Sequence, residues 1–234
     1  MKKRPKYQKF SKNFYEKRAW SENRLIIGVD EVGRSCTAGP VVAGAVILKG
    51  KSSPQLKDSK ILTPGQRENA YTWLSKNSWA AVGIVSPDII DEINIYWASM
   101  LAMRYAVLNV LAICPHPITE IVIDAMPLKL TDTAHKDISI YHFPFGESQS
   151  SSIAAASIWA KVTRDSLMQK MNLAFPGYRL DKHKGYNTPE HQTYVKASGH
   201  SIIHRYRFLQ NVGLVGHNNE FKQQNLFIPA QSEQ

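Results

Sequence analysis

The chain has 234 residues, of which 43% are hydrophobic and 21% are charged, and this composition argues for one globular domain of ordinary core size with some additional tail. Two distant cysteines, Cys36 and Cys114, form no Cys-x-x-Cys or Cys/His ligand spacing, which argues against a disulfide scaffold and favours the reducing cytoplasm. No apolar stretch approaches the roughly 20 residues that cross a bilayer, so we expect a soluble cytoplasmic protein without membrane contact. The net charge is +10.

Most of the positive charge lies in residues 1–24, which hold nine basic and two acidic side chains. Its lysines alternate with aromatic residues, a composition typical of an arm that neutralises phosphates. A solvated tail without a ligand, or a segment that its aromatic side chains dock on the domain, are alternatives that the sequence leaves open. We therefore divide the chain into a basic N-terminal arm at 1–24, a globular domain at 25–210 and a flexible, Gln- and Asn-containing extension at 211–234.

Buried strands and helices alternate between these tails. Strands are predicted at 25–30, 41–48, 79–85, 118–124 and 138–143. Helices are predicted after the Thr63 cap, after Ser86-Pro87, at 95–111, at 151–171 and after the Thr188 cap. This order, with strands first and helices alternating with strands later, predicts a mixed sheet flanked by helices in a three-layer α/β fold.

Carboxylates stand at or after the ends of three predicted strands: Asp30 and Glu31, Asp124, and Glu147. Oxygen ligands of this kind suit hard cations such as Mg²⁺ or Mn²⁺, which keep waters and bridge phosphate oxygens, so a phosphodiester is the natural substrate. Three alternatives stay open on the residues alone. The Asp-Glu pair is also compatible with a solvated loop, Asp124 with a turn that caps its strand, and Glu147 with a surface acid.

Several motifs follow one another along the chain, each occurring once. They are Gly28-Val29-Asp30-Glu31-Val32-Gly33-Arg34, Ala38-Gly39-Pro40, Asp58-Ser59-Lys60, Asp124, Ser152-Ile153-Ala154-Ala155-Ala156-Ser157, Ala160-Lys161-Val162-Thr163-Arg164-Asp165 and His183-Lys184-Gly185-Tyr186. Together they resemble the ribonuclease HII family over most of Leu25 to Phe208. The resemblance implies a ribonuclease H-like catalytic domain at 25–210, with a five-stranded mixed sheet flanked by helices and a helical C-terminal region.

The resemblance implies that Asp30, Glu31, Asp124 and Glu147 are the catalytic, metal-binding acids, with two Mg²⁺ or Mn²⁺ ions during catalysis. It implies endonucleolytic cleavage of the RNA strand in RNA–DNA hybrids. It also implies incision on the 5′ side of ribonucleotides embedded in duplex DNA, leaving 3′-hydroxyl and 5′-phosphate ends, a step in DNA replication and repair. We expect a monomer. Binding of a replication clamp through Gln224-Asn225-Leu226-Phe227 is left open.

Substrate contacts also follow from the resemblance. The turn Gly33-Arg34-Ser35 is expected to hold the ribonucleotide through main-chain groups, and Tyr186 to pack on the neighbouring deoxyribose. Further phosphate contacts are expected from Ser59, Lys60, Lys161, Arg164 and Lys184. A half-buried aromatic side chain with a satisfied hydroxyl is the alternative for Tyr186, and a solvated charge is the alternative for each lysine.

Two residues depart from the family pattern. Ser35 stands where a second glycine is usual, and a left-handed backbone there would cost roughly 1–2 kcal/mol. Glu147 stands where Asp is usual and is more similar to ribonuclease HIII, although the 24 residues before the first strand are too few for the substrate-binding domain of that family. The alternatives are therefore a ribonuclease HIII-like hybrid nuclease without junction preference and a non-catalytic nucleic-acid-binding protein. Asp165 is a fallback fourth acid, unless it pairs with Lys161.

Overall fold

A computed structural model describes residues 11–50, 52–53 and 56–216, and within these ranges the chain forms five strands and eight helices. The strands are β1 (Leu25–Val32), β2 (Val41–Leu48), β3 (Ser78–Val85), β4 (Ile118–Asp124) and β5 (Ser139–Phe143). The helices are α1 (Phe14–Ser21), α2 (Pro64–Asn77), α3 (Pro87–Ile113), α4 (Gly146–Gln149), α5 (Ser151–Ala174), α6 (Leu180–His183), α7 (Pro189–Ser198) and α8 (Tyr206–Asn211), with a 3₁₀ turn at Pro176–Tyr178.

The strands form one mixed sheet in the order β3-β2-β1-β4-β5, so the predicted three-layer α/β fold is confirmed. Strands β1, β2 and β3 pair antiparallel, whereas β4 and β5 extend the sheet in parallel with β1. Strand β1 is longer than predicted, because Glu31 and Val32 continue the ladder opposite Ala43 and Val42 of β2. Both acids of the Asp30-Glu31 pair therefore belong to a hydrogen-bonded strand rather than to the turn after it.

Helix α3 covers one face of the sheet, where Ala98, Ala102 and Ala106 are fully buried. It begins at Pro87, whereas a separate short helix was expected there, and the two predicted helices join across a break at Asn94, which has φ 66° and ψ 164°. Its 27 residues are long and apolar enough to cross a membrane, so the expectation that no stretch reaches this length was wrong. The buried alanine face against the sheet is the arrangement of a core helix in an α/β protein.

Helices α2 and α5 cover the opposite face. Helix α5 approaches β1 and β2 very closely. A Cβ atom at Gly28 of β1 would lie 2.0 Å from the carbonyl carbon of Ser152, and one at Gly44 of β2 would lie 2.4 Å from the carbonyl oxygen of Ala156. Glycine in the strand and alanine in the helix are therefore what this contact requires. It brings the first turns of α5 beside the strand that carries Asp30.

Helix α1 lies within the predicted basic arm and packs on the domain. The carboxylate of Glu16 is fully buried and accepts hydrogen bonds from the Ser150 hydroxyl and from the Ser152 amide at 2.9 Å. Asn13 contributes a second acceptor, because its Oδ1 lies 2.9 Å from the Ser151 amide nitrogen. These residues satisfy free amides at the positive end of α5, as a capping box does within one helix. Residues 1–10 of the arm lie outside the described residues.

The C-terminal helices α6, α7 and α8 form a separate small core with Met168 of α5 and Ala38 of the loop between β1 and β2. Residues 37–39 join this core through main-chain hydrogen bonds, since the amides of Thr37 and Gly39 donate to the carbonyls of Gly185 and Ile203. The C-terminal region therefore supports the turn that follows β1. Most of the predicted extension at 211–234, including the clamp-binding stretch, lies outside the described residues.

Candidate active site

The four predicted acids come from neighbouring elements. In the parallel ladder Val29 pairs with Ile123, so the next residues, Asp30 and Asp124, lie on adjacent strands one position further along. Asp124 is joined to α4 by its Oδ1, which accepts a hydrogen bond of 2.8 Å from the Gly146 amide. Because Glu147 is the next residue of α4, this hydrogen bond brings the fourth acid toward the end of β4.

The pKa directions of Asp30 and Glu31 are those of neighbouring acids. The pKa of Asp30 is raised well above its usual value by burial first, and then by the charges of Glu31, Glu147 and Asp124. Burial also raises the pKa of Glu31, and Asp124 adds to this, although Arg34 at 3.3 Å opposes it. Ionising all four acids is therefore unfavourable unless positive charge reaches them.

Nearby cations and donors neutralise this charge only in part. The Lys60 ammonium lies 3.1 Å from Glu147 Oε2, and although burial alone would lower the pKa of Lys60, the hydrogen bond to Glu147 raises it. Glu31 Oε2 and Glu147 Oε1 are buried and have no hydrogen-bond partner in the described part of the chain. An orphaned carboxylate oxygen away from water is costly, so both atoms are suited to meet a cation.

An oxygen-only donor set fits a hard cation of the magnesium or manganese type. Within residues 11–50, 52–53 and 56–216, no three acidic, histidine or cysteine side chains converge tightly enough to enclose a metal ion. Mg²⁺ does not need such a group, because this ion keeps several waters and takes only one or two carboxylates together with substrate phosphate oxygens. The residues present therefore fit an ion that is held jointly by protein and substrate.

The predicted recognition turn follows β1 directly. Arg34 and Ser35 are exposed, whereas Gly33 is buried with φ 92°. A Cβ atom on Gly33 would lie 2.3 Å from Arg164 Nε, so both the backbone conformation and the space require glycine at this position. Ser35 is not among the non-glycine residues with positive φ in the described ranges. The condition for the expected cost, a left-handed backbone at Ser35, is therefore not met.

Tyr186 lies beside this turn. It forms an isolated antiparallel β-bridge with Cys36, and its half-buried ring has the Lys161 ammonium 5.6 Å from the ring centroid. Burial raises the pKa of the Tyr186 hydroxyl. Lys161 also pairs with Asp165 at 2.9 Å, so Asp165 has the ion-pair role that was expected as the alternative to metal binding.

The other predicted substrate contacts differ in accessibility. Lys60 has a side chain that is 75% exposed and contacts Glu147 directly, just as the exposed Arg34 contacts Glu31. Ser59 is buried and lies 2.8 Å from the Ser157 hydroxyl, which in turn hydrogen-bonds to Asp30. The Lys184 ammonium donates to the Asp181 carbonyl at 2.6 Å, and burial lowers its pKa. Ser59 is thus placed to orient the acids rather than to face a phosphate.

Arg164 was expected to contact a substrate phosphate, but it is fully buried. Its guanidinium donates to the main-chain carbonyls of Pro40, Lys184 and Ala38. Ser157, Lys161 and Arg164 share one face of α5 by their helical spacing. That spacing cannot show that the loops at 38–40 and 184 cover the end of the face where Arg164 lies. A second fully buried arginine, Arg205, donates to Gly39 and Arg34 and was missed, since no motif surrounds it.

Three buried histidines, His183, His191 and His204, connect Tyr186 to the C-terminal core. The rings of His183 and His191 stack at 4.2 Å, and the Nε2 atoms of His191 and His204 lie 3.2 Å apart. His191 Nδ1 lies 2.9 Å from the Tyr186 carbonyl oxygen and therefore donates to it. His204 Nδ1 accepts from the Ser201 amide at 3.1 Å, so its Nε2 donates to His191. One tautomer of each neutral ring satisfies both contacts.

We expect this histidine pair to make the protein less stable in mild acid. Burial lowers the pKa of His191 to about 4 and of His204 to about 3, below the ordinary value of 6.5. Below pH 6.5 the unfolded chain therefore binds protons that the folded chain does not, and the free energy of unfolding falls by up to about 1.4 kcal/mol per pH unit for each histidine. Denaturant unfolding between pH 7 and pH 5 measures this slope. An equal slope in His204→Asn would contradict it.

Comparisons with known proteins agree with this geometry. The family model described as Ribonuclease HII matches residues 27–211. A ribonuclease HII of Acetivibrio thermocellus is 42% identical over 219 residues, which is 90% of this chain and 82% of that protein. The crystal structure of ribonuclease H2 from Pyrococcus horikoshii has a TM-score of 0.63 at 25% identity and covers 80% of this chain and 96% of its own.

A ribonuclease HIII structure is also similar. Bst-RNase HIII in complex with Mn²⁺ has a TM-score of 0.62 at 20% identity, and the match covers 81% of this chain and 68% of that one. At this identity the likeness concerns the fold alone. The residues that the family model matches, 27–211, include all four acids of the site, the turn after β1 and the three C-terminal helices. The chain therefore belongs to the ribonuclease HII family, whose members are endonucleases that hydrolyse the RNA strand of RNA–DNA hybrids.

Proposed function

We propose that this chain is a metal-dependent ribonuclease HII that also incises duplex DNA on the 5′ side of an embedded ribonucleotide, leaving 3′-hydroxyl and 5′-phosphate ends. The observation that carries the proposal is the group of acids around Asp30. Burial, and then the charges of its three acidic neighbours, raise the pKa of Asp30, and one carboxylate oxygen each of Glu31 and Glu147 has no hydrogen-bond partner in the described part of the chain. Such an arrangement is costly in a resting protein and becomes favourable when divalent cations and a phosphodiester arrive together.

In this proposal Asp30, Glu31, Asp124 and Glu147 hold two Mg²⁺ or Mn²⁺ ions. When bound, these ions would supply an activated water and would neutralise the leaving 3′-oxygen. The chain's own residues position the reactants. Ser157 and the Glu31 amide, which lies 2.8 Å from Asp30 Oδ1, orient Asp30, and the Gly146 amide orients Asp124. Lys60 keeps a cation beside Glu147 and is exposed enough to contact a substrate phosphate.

Selectivity for a ribonucleotide requires groups that contact the 2′-hydroxyl, which both donates and accepts hydrogen bonds. The exposed peptide of Arg34 and Ser35 offers main-chain groups immediately after the strand that carries Asp30 and Glu31. Tyr186 lies against the same loop through its bridge with Cys36, where its ring can pack on the next sugar. The proximity of acids, turn and aromatic ring supports recognition of an RNA-to-DNA junction.

A ribonuclease HIII-like activity without junction preference is the second candidate, and Glu147 in place of the usual Asp is the observation that favours it. A non-catalytic nucleic-acid-binding protein is less consistent with the site. Four carboxylates would repel the phosphates of a nucleic acid unless cations neutralised the carboxylates. Cleavage that depends on divalent cations separates the enzyme from the binding protein.

Cleavage of two substrates by the full-length protein tests the proposal. One is a DNA duplex with a single embedded ribonucleotide, and the other is a continuous RNA–DNA hybrid, each incubated with Mg²⁺, Mn²⁺ or a chelator. We expect both to be cut only with a divalent cation, and the first to be cut on the 5′ side of the ribonucleotide. Cleavage of the hybrid alone would favour the ribonuclease HIII-like alternative, and no cleavage of either would exclude both enzymes.

The basic segment before α1 supplies a further expected result. Residues 1–10 contain five basic and no acidic side chains, so removing them should weaken substrate binding and reduce the slope of log affinity against log salt. The shorter deletion is the informative one, because a deletion of residues 1–20 would also remove the buried Glu16. Fluorescence anisotropy across a salt series measures the slope. An unchanged slope would show that these residues do not contact the phosphates.

A further inference from the structure

Two fully buried arginines, Arg164 of α5 and Arg205 before α8, surround the loop that follows β1. Arg164 donates from Nε to the Pro40 carbonyl at 2.9 Å and from Nη2 to the Ala38 carbonyl at 3.1 Å. Arg205 donates from Nε to Gly39 at 2.9 Å and from Nη1 to Arg34 at 3.1 Å, and its main-chain amide donates to Thr37 at 2.8 Å. These two residues therefore bind five carbonyls of the segment 34–40.

The Arg164 side chain also reaches the segment that carries Tyr186. Arg164 Nη1 donates to the Lys184 carbonyl at 2.9 Å, and its guanidinium carbon lies 6.0 Å from the centroid of the Tyr186 ring. In the described part of the chain, each side-chain hydrogen bond of these arginines goes to a main-chain carbonyl. Arg164 thus joins the turn after β1 to the segment at 184–186 from the interior side.

Burial of a guanidinium that donates to carbonyls is expensive, because in the described ranges neither arginine forms an ion pair that compensates the lost hydration, and only the more distant charge of Asp91 partly offsets it at Arg205. The strain is visible at Arg205, where burial lowers the pKa to about 10. Carbonyls could be satisfied more cheaply by water if the loop were exposed. The two buried guanidinium groups are therefore better explained by their effect on the conformation of the loop. The planar guanidinium donates several hydrogen bonds in fixed directions and so fixes several peptide planes at once.

Peptide orientation matters here because a peptide whose carbonyl points inward presents its other groups outward. The Arg34 carbonyl is held by Arg205 inside the protein, while the residues Arg34 and Ser35 themselves are exposed. Gly33 completes the arrangement, since its missing side chain leaves the space that Arg164 Nε occupies. The main-chain groups of the turn are thus preset before any substrate binds.

We propose that Arg164 and Arg205 are positioning residues that fix the peptides of the turn after β1 and the Tyr186 segment, and so determine selectivity for an embedded ribonucleotide. This inference rests on the proposed function. The arginines are not expected to touch the substrate, since both are buried behind the loop. Their contribution is preorganisation, which strengthens a contact by removing the cost of ordering it at the moment of binding.

Arg164→Lys and Arg205→Lys test the proposal in the full-length protein, because lysine keeps the positive charge but lacks the planar set of N–H donors of the guanidinium. The control is Val107→Ala, a buried change in α3 on the other face of the sheet that lowers stability without touching the loop. Two quantities are measured. They are the ratio of kcat/KM for the embedded ribonucleotide to that for the hybrid, and the hydrogen exchange of amides at 34–40 in the substrate-free protein.

We expect each lysine variant to lower the ratio by about tenfold, the loss typical of one misplaced hydrogen bond, and to speed exchange at 34–40. Val107→Ala should change neither quantity. Gly33→Ala provides a second route if a lysine variant does not fold, because its Cβ would displace Arg164 without removing it. A normal ratio with normal exchange would overturn the proposal, as would equal effects from Val107→Ala. If the wild-type protein does not incise embedded ribonucleotides, the proposed function and the selectivity claim fail together, and the exchange rates alone decide whether the arginines position the loop.

Discussion

Asp30→Asn is expected to lower the rate of hybrid cleavage on the order of 10³-fold, because it removes a ligand on which the metal-borne stabilisation of the transition state depends. The fold should persist. Asn has nearly the same shape, and Asp30 is an acid whose pKa is raised by burial and by three neighbouring carboxylates. Single-turnover rates at saturating Mg²⁺, together with thermal unfolding, measure the two effects.

Asp30→Asn is expected to leave the free energy of unfolding at neutral pH unchanged or to raise it. A buried acid with a raised pKa contributes most stability at low pH and loses it as pH rises through the folded-state value. At neutral pH without metal, Asp30 therefore destabilises the protein, and Asp30→Asn should melt at the same temperature or higher. Asp165→Asn is the matched control, because it removes an acid that pairs with Lys161. Near-normal turnover in Asp30→Asn, or an equal loss in Asp165→Asn, would overturn the assignment of the site.

Tyr186→Ala is expected to lower incision at a single embedded ribonucleotide by about 10- to 100-fold, the loss typical of an aromatic ring that stacks on a nucleotide. Cleavage of a continuous hybrid should fall less, because its flanking sugars are all ribose and a junction is absent. The half-buried ring bridges Cys36 beside the exposed turn, so its removal changes the surface that meets the sugar. Steady-state kcat/KM on the two substrates measures the difference.

Tyr186→Phe separates the ring from the hydroxyl. It retains the stacking surface and the contact with Lys161, so it should keep most of the incision activity. If Tyr186→Ala reduced both activities equally and lowered the melting temperature in proportion, the residue would be structural. The account of junction recognition would then have to be withdrawn.

Local sequence patterns predicted the strands and caps of this fold well. Buried runs located all five strands, and the Thr63 capping box is present with both of its hydrogen bonds. The end of β1 was missed by two residues, because pairing with Ala43 and Val42 of β2 extends it beyond the apolar run. The start of α3 was missed because a break at Asn94 interrupts the helical spacing without ending the helix.

The long-range environment of individual side chains could not be predicted in the same way. Arg164 lies in a helix with Lys161, yet two of the three carbonyls it binds are 124 and 126 residues away in the chain. Arg205 binds carbonyls 166 and 171 residues away and belongs to no recognisable motif. The metal-ligand candidates were easier to find, because acids at the ends of neighbouring strands share a sheet edge whatever the loops do.

Binding of Mn²⁺ to the full-length protein, measured by titration calorimetry without substrate and again with an uncleavable hybrid, tests whether the four carboxylates form a divalent-cation site that the substrate completes. We expect Mn²⁺ to bind more tightly when the hybrid is present and at least about tenfold more weakly in Asp124→Asn. Equal Mn²⁺ affinity in the wild-type protein and in Asp124→Asn would contradict this expectation.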